Sequence, residues 1–255
     1  MSDDQNFQKL VEQKDQELSH RKSEAPLESI FSKIKPLESK LYGEAKAYDG
    51  LGLMLDWNPR KRNETVPKNL PLDFEGFLGL NIATDREQLN GDYENIMCLK
   101  DNPFNVPIYQ NDLIIDPYQV YYARYYGTGY MPLYPNSVSD NDLLTLFLLA
   151  RQHGMEGVIH VRSSKDLESA NNTPTLFLEL SEVDYFGDSM DIKEILQLSE
   201  EIPEHRLIFT RLKDWDEDKL GLLYDAEING VILDYPDTDR ELKKLISILE
   251  GFRED

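Results

Sequence analysis

A single cysteine, Cys98, occurs in the 255 residues, so no disulfide framework holds this chain together and no Cys-based metal site is available. The longest apolar run, Leu143 to Ala150, is broken by Thr145 and is far shorter than the roughly 18 residues a membrane span needs. Glycine-rich phosphate loops of the GxGxxG or GxxxxGK[ST] type are missing, which argues against a doubly wound nucleotide-binding sheet. Only four histidines are present (His20, His153, His160, His205), in no HxH or HExxH spacing, so neither a metal nor another cofactor is expected. Positive charge is scarce as well. The 27 Lys and Arg face 48 Asp and Glu for a net charge of -21, a surface that repels nucleic acid and anionic lipid. The start, Met1-Ser2-Asp3-Asp4, is acidic where an export signal is basic, and a cytoplasmic location is expected.

What is present is an alternation. Residues 5–22 carry Phe7, Leu10, Val11 and Leu18 among charges and predict an amphipathic helix on the edge of the body; a second helical stretch, 27–46, is interrupted by Pro36. Eight short apolar runs follow: 51–56, 77–83, 106–111, 129–135, 157–161, 175–180, 206–210 and 230–234. Helical windows at 85–97, 116–126, 139–153, 191–200, 214–224 and 237–249 separate most of them. Hydrophobic strands buried on both faces and alternating with amphipathic helices predict a closed (βα)8 TIM barrel. The expected domains are an N-terminal helical extension, 1–48, and a barrel, 49–255.

The stretch Asp112-Leu113-Ile114-Ile115-Asp116-Pro117-Tyr118-Gln119-Val120-Tyr121 resembles the KDFIIDPYQ segment of the indole-3-glycerol phosphate synthase family, (βα)8 lyases of tryptophan biosynthesis. The likeness continues through Ala123-Arg124-Tyr125-Tyr126, Gly154-Met155-Glu156, Thr84-Asp85 and, upstream, Leu10 to Lys14 with Pro26-Leu27. Within it, Asp116 reads as an N-cap and Pro117 as the first helical residue. The resemblance implies a lysine acid, a glutamate base and anion-binding groups at the barrel mouth, which convert a carboxyanilino sugar phosphate to an indole. On that pattern the charged positions of strand 1 fall on Leu53 and Leu55, the strand 3 lysine on Asn111, and the strand 5 glutamate on His160. The strand 6 Asn-Asn-Arg falls near Ser181-Glu182-Val183. The phosphate-binding loops of strands 7 and 8 fall on Thr210-Arg211-Leu212-Lys213 and Asp234-Tyr235-Pro236.

The chain is therefore read first as a non-catalytic member, a pseudoenzyme acting as a protein-binding, scaffold or regulatory component. A second reading is an enzyme of another class with a remodelled mouth, and a third is the family's own reaction. Candidate mouth residues are Asp56, Asn111, His160, Arg211, Lys213 and Asp234. Arg211 and Asp234, ending neighbouring strands, are expected either to pair and plug the old pocket or to form a new ligand site, with Asp56 and Lys213 joining either arrangement. The mouth loops disfavour a phosphate ligand. The tyrosines at 118, 121, 122, 125 and 126 are expected mainly between the third barrel helix and the strands, with Tyr130 and Tyr134 on strand 4. Trp57 with Arg60, Lys61 and Arg62 is the leading candidate contact for a protein partner.

Overall fold

The computed structural model describes residues 3–34, 48–58, 67–100, 107–187 and 190–252. Eight parallel strands close in sequence order: β1 (Gly52–Trp57), β2 (Phe77–Ala83), β3 (Ile108–Asn111), β4 (Tyr130–Leu133), β5 (Glu156–His160), β6 (Phe177–Ser181), β7 (Leu207–Arg211) and β8 (Gly230–Asp234), with β8 paired back to β1. Among the described residues two helices precede them, α1 (Asp3–Glu24) and α2 (Leu27–Phe31). Seven more among the described residues follow β2 to β8 in turn: α3 (Glu94–Lys100), α4 (Pro117–Tyr126), α5 (Asp140–Gln152), α6 (Ser164–Asn171), α7 (Ile192–Ser199), α8 (Glu217–Asp225) and α9 (Asp239–Gly251). The expected (βα)8 barrel with a helical N-terminus is the observed fold.

Strand alternation divides the apolar residues into two cores. Met54, Tyr109, Tyr130, Val158, Phe177, Phe209 and Ile232 point inward and fill the barrel; the Phe177 and Phe209 rings stack at 5.6 Å. Leu53, Leu55, Leu80, Ile82, Leu178 and Leu233 point outward and pack under the helices. A bulge between Leu53 and Met54 sets the β1–β2 register, and Gly79 on β2 takes φ +145° where a Cβ would meet the Pro107 carbonyl.

Local sequence accounts for the helix starts. Asp116 caps α4 by accepting the Tyr118 N–H at 2.8 Å, while Gln119 reaches back to the Asp116 N–H at 3.1 Å, with Pro117 as the first helical residue. Ser139, Ser163, Asp191, Asp216 and Thr238 cap α5 to α9 by accepting the N–H three residues on, with a reciprocal bond from Glu194 at Asp191 and from Glu241 at Thr238.

Three expectations are corrected. Residues 84–93 form a loop rather than the start of a helix, because Asp85 and Asp92 turn their carboxylates on the loop itself and Asn90 takes φ 50°. The short α6 was not foreseen: Leu167 and Ala170 alone are its buried apolar residues, too few for a visible stripe. The second N-terminal helix is only the five residues of α2 among the described residues, with a turn at 32–34 after it, and 35–46, Pro36 included, lies outside them.

Candidate functional site

Parallel strands bring the C-terminal end of every strand to one rim. Inward positions there hold Asp56, Asn111, His160, Glu179, Ser181, Arg211 and Asp234, with Tyr134 just beyond β4.

A network of side chains fills the space beneath this rim. The Arg211 guanidinium pairs with Asp56 (Nη1 to Oδ2, 2.9 Å) and with Glu179 (Nε to Oε1, 3.2 Å). Glu179, fully buried, also lies 3.2 Å from His160 Nε2 and accepts hydrogen bonds from Tyr109 (2.6 Å) and Ser181 (2.9 Å). The Tyr109 hydroxyl is 2.9 Å from His160 Nε2, and the Tyr134 ring lies over the imidazole at 4.1 Å between centroids. Burial works against the Glu179 charge, but the positive fields of His160 and Arg211 outweigh it and hold the carboxyl well below the usual range. Burial likewise opposes the Arg211 charge, and Glu179 and Asp56 hold it in place. Burial, then the Glu179 charge, pushes the Tyr109 and Tyr134 hydroxyls up.

Of the two arrangements expected for Arg211 and Asp234, an internal pair or a ligand site, the pair is not formed. Asp234 is exposed at the rim, whereas Glu179 and Asp56 flank the guanidinium in a drier setting where attraction is stronger. His160 is placed as a hydrogen-bonded histidine of the barrel interior. Among the described residues no group of three His, Cys, Asp or Glu side chains is arranged to hold a metal ion.

A second ionic cluster ties α1 across the mouth rather than along the edge of the body. Lys14 is buried and its ammonium contacts Asp85 after β2, Asp112 after β3 (2.8 Å) and Glu17 (2.6 Å). Tyr185, after β6, donates to Asp85 at 2.5 Å, and Thr84 donates to Asp112 at 3.0 Å. Burial opposes the Lys14 charge, yet the three carboxylates raise its pKa. Burial also opposes the Asp85 charge, and Lys14 lowers its pKa regardless; at Asp112 burial prevails and the pKa rises. Phe7 meets Phe186 at 4.4 Å, and Val11 packs beside Leu113, Tyr134 and Tyr185.

Above the network a cavity of about 240 Å³ remains, whose walls include Asp56, Asn111, Arg211, Lys213 and Asp234 but not His160. A larger groove, about 430 Å³, lies outside the mouth between α1 and the loop after β2. Around the mouth cavity the backbone donors expected to bind phosphate are engaged internally. Leu212 N–H binds the Ile232 carbonyl, Lys213 N–H binds the Glu182 carboxylate at 2.9 Å, and Tyr235 N–H binds the Asp56 carbonyl. Glu182 is thus the anion at this loop, and Lys219 closes on it at 2.7 Å.

Other sequence readings shift. Leu53 and Leu55 face the helices, so the inward residues of β1 are Met54 and Asp56 rather than the leucines. Trp57 is 1% exposed and edge-on to Tyr235 at 5.0 Å, because alternation turns it outward beneath neighbouring chain; it is no exposed contact residue. Arg60, Lys61 and Arg62 lie outside the described residues. Tyr118 faces α1 and α2 rather than the strands, its hydroxyl donating to the Ala25 carbonyl at 2.9 Å, while Tyr122 and Tyr126 pack on Tyr93. Tyr130 lies in β4 and Tyr134 one residue beyond it.

Glu179, Tyr109 and Lys14 were missed in the sequence. A signal existed for the first: a carboxylate inside the apolar run Leu176-Phe177-Leu178-Glu179-Leu180 must find partners if that run is a buried strand. Lys14 continues the Phe7, Val11, Leu18 stripe at helical spacing, a position where a charge signals an internal partner.

Comparison with known proteins adds three findings. The sequence profile described as indole-3-glycerol phosphate synthase matches residues 7–211. The chain is 23% identical over 216 residues to the tryptophan biosynthesis protein TrpCF of Buchnera aphidicola subsp. Schlechtendalia chinensis, covering 80% of this chain but only 45% of that protein. It is 21% identical over 237 residues to the indole-3-glycerol phosphate synthase of Aliarcobacter butzleri, covering 88% of this chain and 90% of that one. The chain thus spans under half the length of the first relative and most of the second. Among solved structures, N-(5'-phosphoribosyl)anthranilate isomerase from Pyrococcus furiosus has a TM-score of 0.56 at 9% identity, covering 79% of this chain and 99% of that one, a likeness of fold alone.

Proposed function

The chain belongs to the indole-3-glycerol phosphate synthase family, and we propose that within it this protein is a non-catalytic member, a barrel serving as a protein-binding, scaffold or regulatory component. The observation that carries this reading is the network of Asp56, Arg211, Glu179, His160 and Tyr109, in which the polar groups under the mouth are bound to one another. A general acid or base must reach the substrate proton, and each such group contributes about 10²–10⁴-fold. Glu179 is enclosed and held ionised by its own partners, so it offers a substrate neither a proton nor a free lone pair. Asn111 stands where the resemblance puts the lysine acid, and Lys213, at the exposed rim, is the lysine on the cavity wall. The engaged N–H groups of Leu212, Lys213 and Tyr235 further support loss of phosphate binding.

A remodelled enzyme is the second reading, favoured by the cavity that Asp56, Arg211 and Asp234 help to line. The test is direct. Purified protein is incubated with the carboxyanilino sugar phosphate and indole formation is followed by fluorescence, and the gene is placed in a tryptophan auxotroph lacking the lyase. No turnover and no growth are expected. Turnover that disappears on changing His160→Ala would overturn the proposal. A protein partner is sought by crosslinking and pull-down from the source cell.

A further inference from the structure

The groups lining the mouth cavity divide into engaged and unengaged. Asp56 and Arg211 are paired with each other, and Asp184 is paired with Arg162 at 3.1 Å. Four polar side chains on the same walls, Asn111, Tyr134, Lys213 and Asp234, make no side-chain hydrogen bond or ion pair with the described residues. Tyr134 is the telling one. It is only 3% exposed, held between His160 and the rings of Tyr185 and Phe186, it lines the cavity, and its hydroxyl makes no hydrogen bond with the described residues. A hydroxyl on a packed ring beside a cavity, with no protein partner, can exchange its water for a ligand group.

The charges define what that ligand carries. One unengaged ammonium, Lys213, and one unengaged carboxylate, Asp234, flank the cavity, a pair complementary to a molecule bearing one carboxylate and one ammonium. A phosphate dianion fits poorly, since its backbone donors are engaged and the walls carry Asp56, Asp184 and Asp234 against Arg211 and Lys213. The volume of about 240 Å³ lies below the usual range for drug-sized ligands and suits a small metabolite. Leu89, Val183, Leu212 and Ile232 supply apolar wall.

From this placement we propose that the mouth cavity binds a small zwitterion of the α-amino-acid class with a short apolar side chain. The Lys213 ammonium and Asn111 amide receive its carboxylate, Asp234 receives its ammonium, and Tyr134 fixes the polar end with a hydroxyl hydrogen bond. This deepens the regulatory reading above and rests on it, because a mouth that still took the sugar phosphate would have no place for the zwitterion.

The experiment titrates the full chain with glycine, L-alanine, L-valine and L-leucine at up to about 10 mM, by calorimetry and by melting temperature. N-acetyl-L-valine, L-valine amide and inorganic phosphate serve as comparison probes. At least one free amino acid is expected to bind and raise the melting temperature, while the two blocked forms and phosphate do not. Tyr134→Phe, Lys213→Gln and Asp234→Asn should each weaken binding at least about tenfold while leaving the unliganded melting temperature unchanged, since none of these polar groups has an internal partner. Absence of binding by all four amino acids overturns the proposal. So does binding that survives the three substitutions, or that is equalled by a blocked form or by phosphate. The lyase assay on the same preparation keeps the two ideas separate: turnover removes the functional reading, whereas no turnover and no amino-acid binding removes only this inference.

Discussion

Tyr109, Ser181, His160 and Arg211 all converge on one carboxylate, Glu179, which is itself fully buried. Removing one member of such a buried ionic group leaves the others uncompensated, at about 3–5 kcal/mol. Glu179→Ala is therefore expected to lower the stability measured by urea denaturation by that amount. The pH dependence follows from the direction of the shift. Glu179 has a lower pKa folded than unfolded, so its contribution is complete above the unfolded value of about 4.3 and is lost as pH falls below it toward the folded value. Stability of the native protein should fall below about pH 4.3, and the acid limb of Glu179→Ala should be shallower. Equal limbs would mean that Glu179 does not carry the acid sensitivity.

α1 shows what a whole element can conceal. Its buried stripe is Lys14, Leu18 and Arg21, two cations around one leucine, with Arg21 paired to Glu17 and lying over the Tyr93 ring at 4.9 Å. Docking of the helix is thus largely ionic and aromatic. Lys14→Met keeps the length of the side chain but leaves Asp85 and Asp112 facing each other without a cation. A loss of about 3–5 kcal/mol is expected. Hydrogen exchange should show α1 amides losing protection while the strand amides keep theirs. Loss of protection in both would mean that α1 and the barrel unfold as one unit.

At the scale of the molecule the excess of 21 negative charges opposes compaction. It is concentrated in residues 49–255, with 19 basic against 39 acidic residues, while residues 1–48 carry 8 against 9. Raising ionic strength from about 0.01 to 0.15 M shortens the screening length from about 30 to 8 Å. Long-range repulsion is screened while the buried pairs at Glu179 and Lys14 are not, so the melting temperature should rise in a calorimetric scan. A fall would show that exposed attractive pairs outweigh the repulsion.

The barrel was legible in the sequence because its strands are read from local pattern: a run such as Phe77 to Ala83 is apolar on both faces, and parallel strands buried on both sides require that. The α4 cap was legible for the same reason, since Asp116, Pro117 and Gln119 act within one turn of chain. Five candidate mouth residues were brought together on one cavity because the ends of parallel strands all reach the same rim. What could not be read locally was which inward group meets which. Arg211 chose Glu179 and Asp56 over Asp234, and Lys14 reached Asp112 across 98 positions, because those partners are set by barrel closure and by the low dielectric beneath the rim. Likewise the bulge in β1–β2, where Leu53 pairs with Phe77 and Met54 with Gly79 so that Leu78 is the extra residue, faces Leu78 inward and Leu80 outward and has no sequence signature of its own; only the closed sheet decides it.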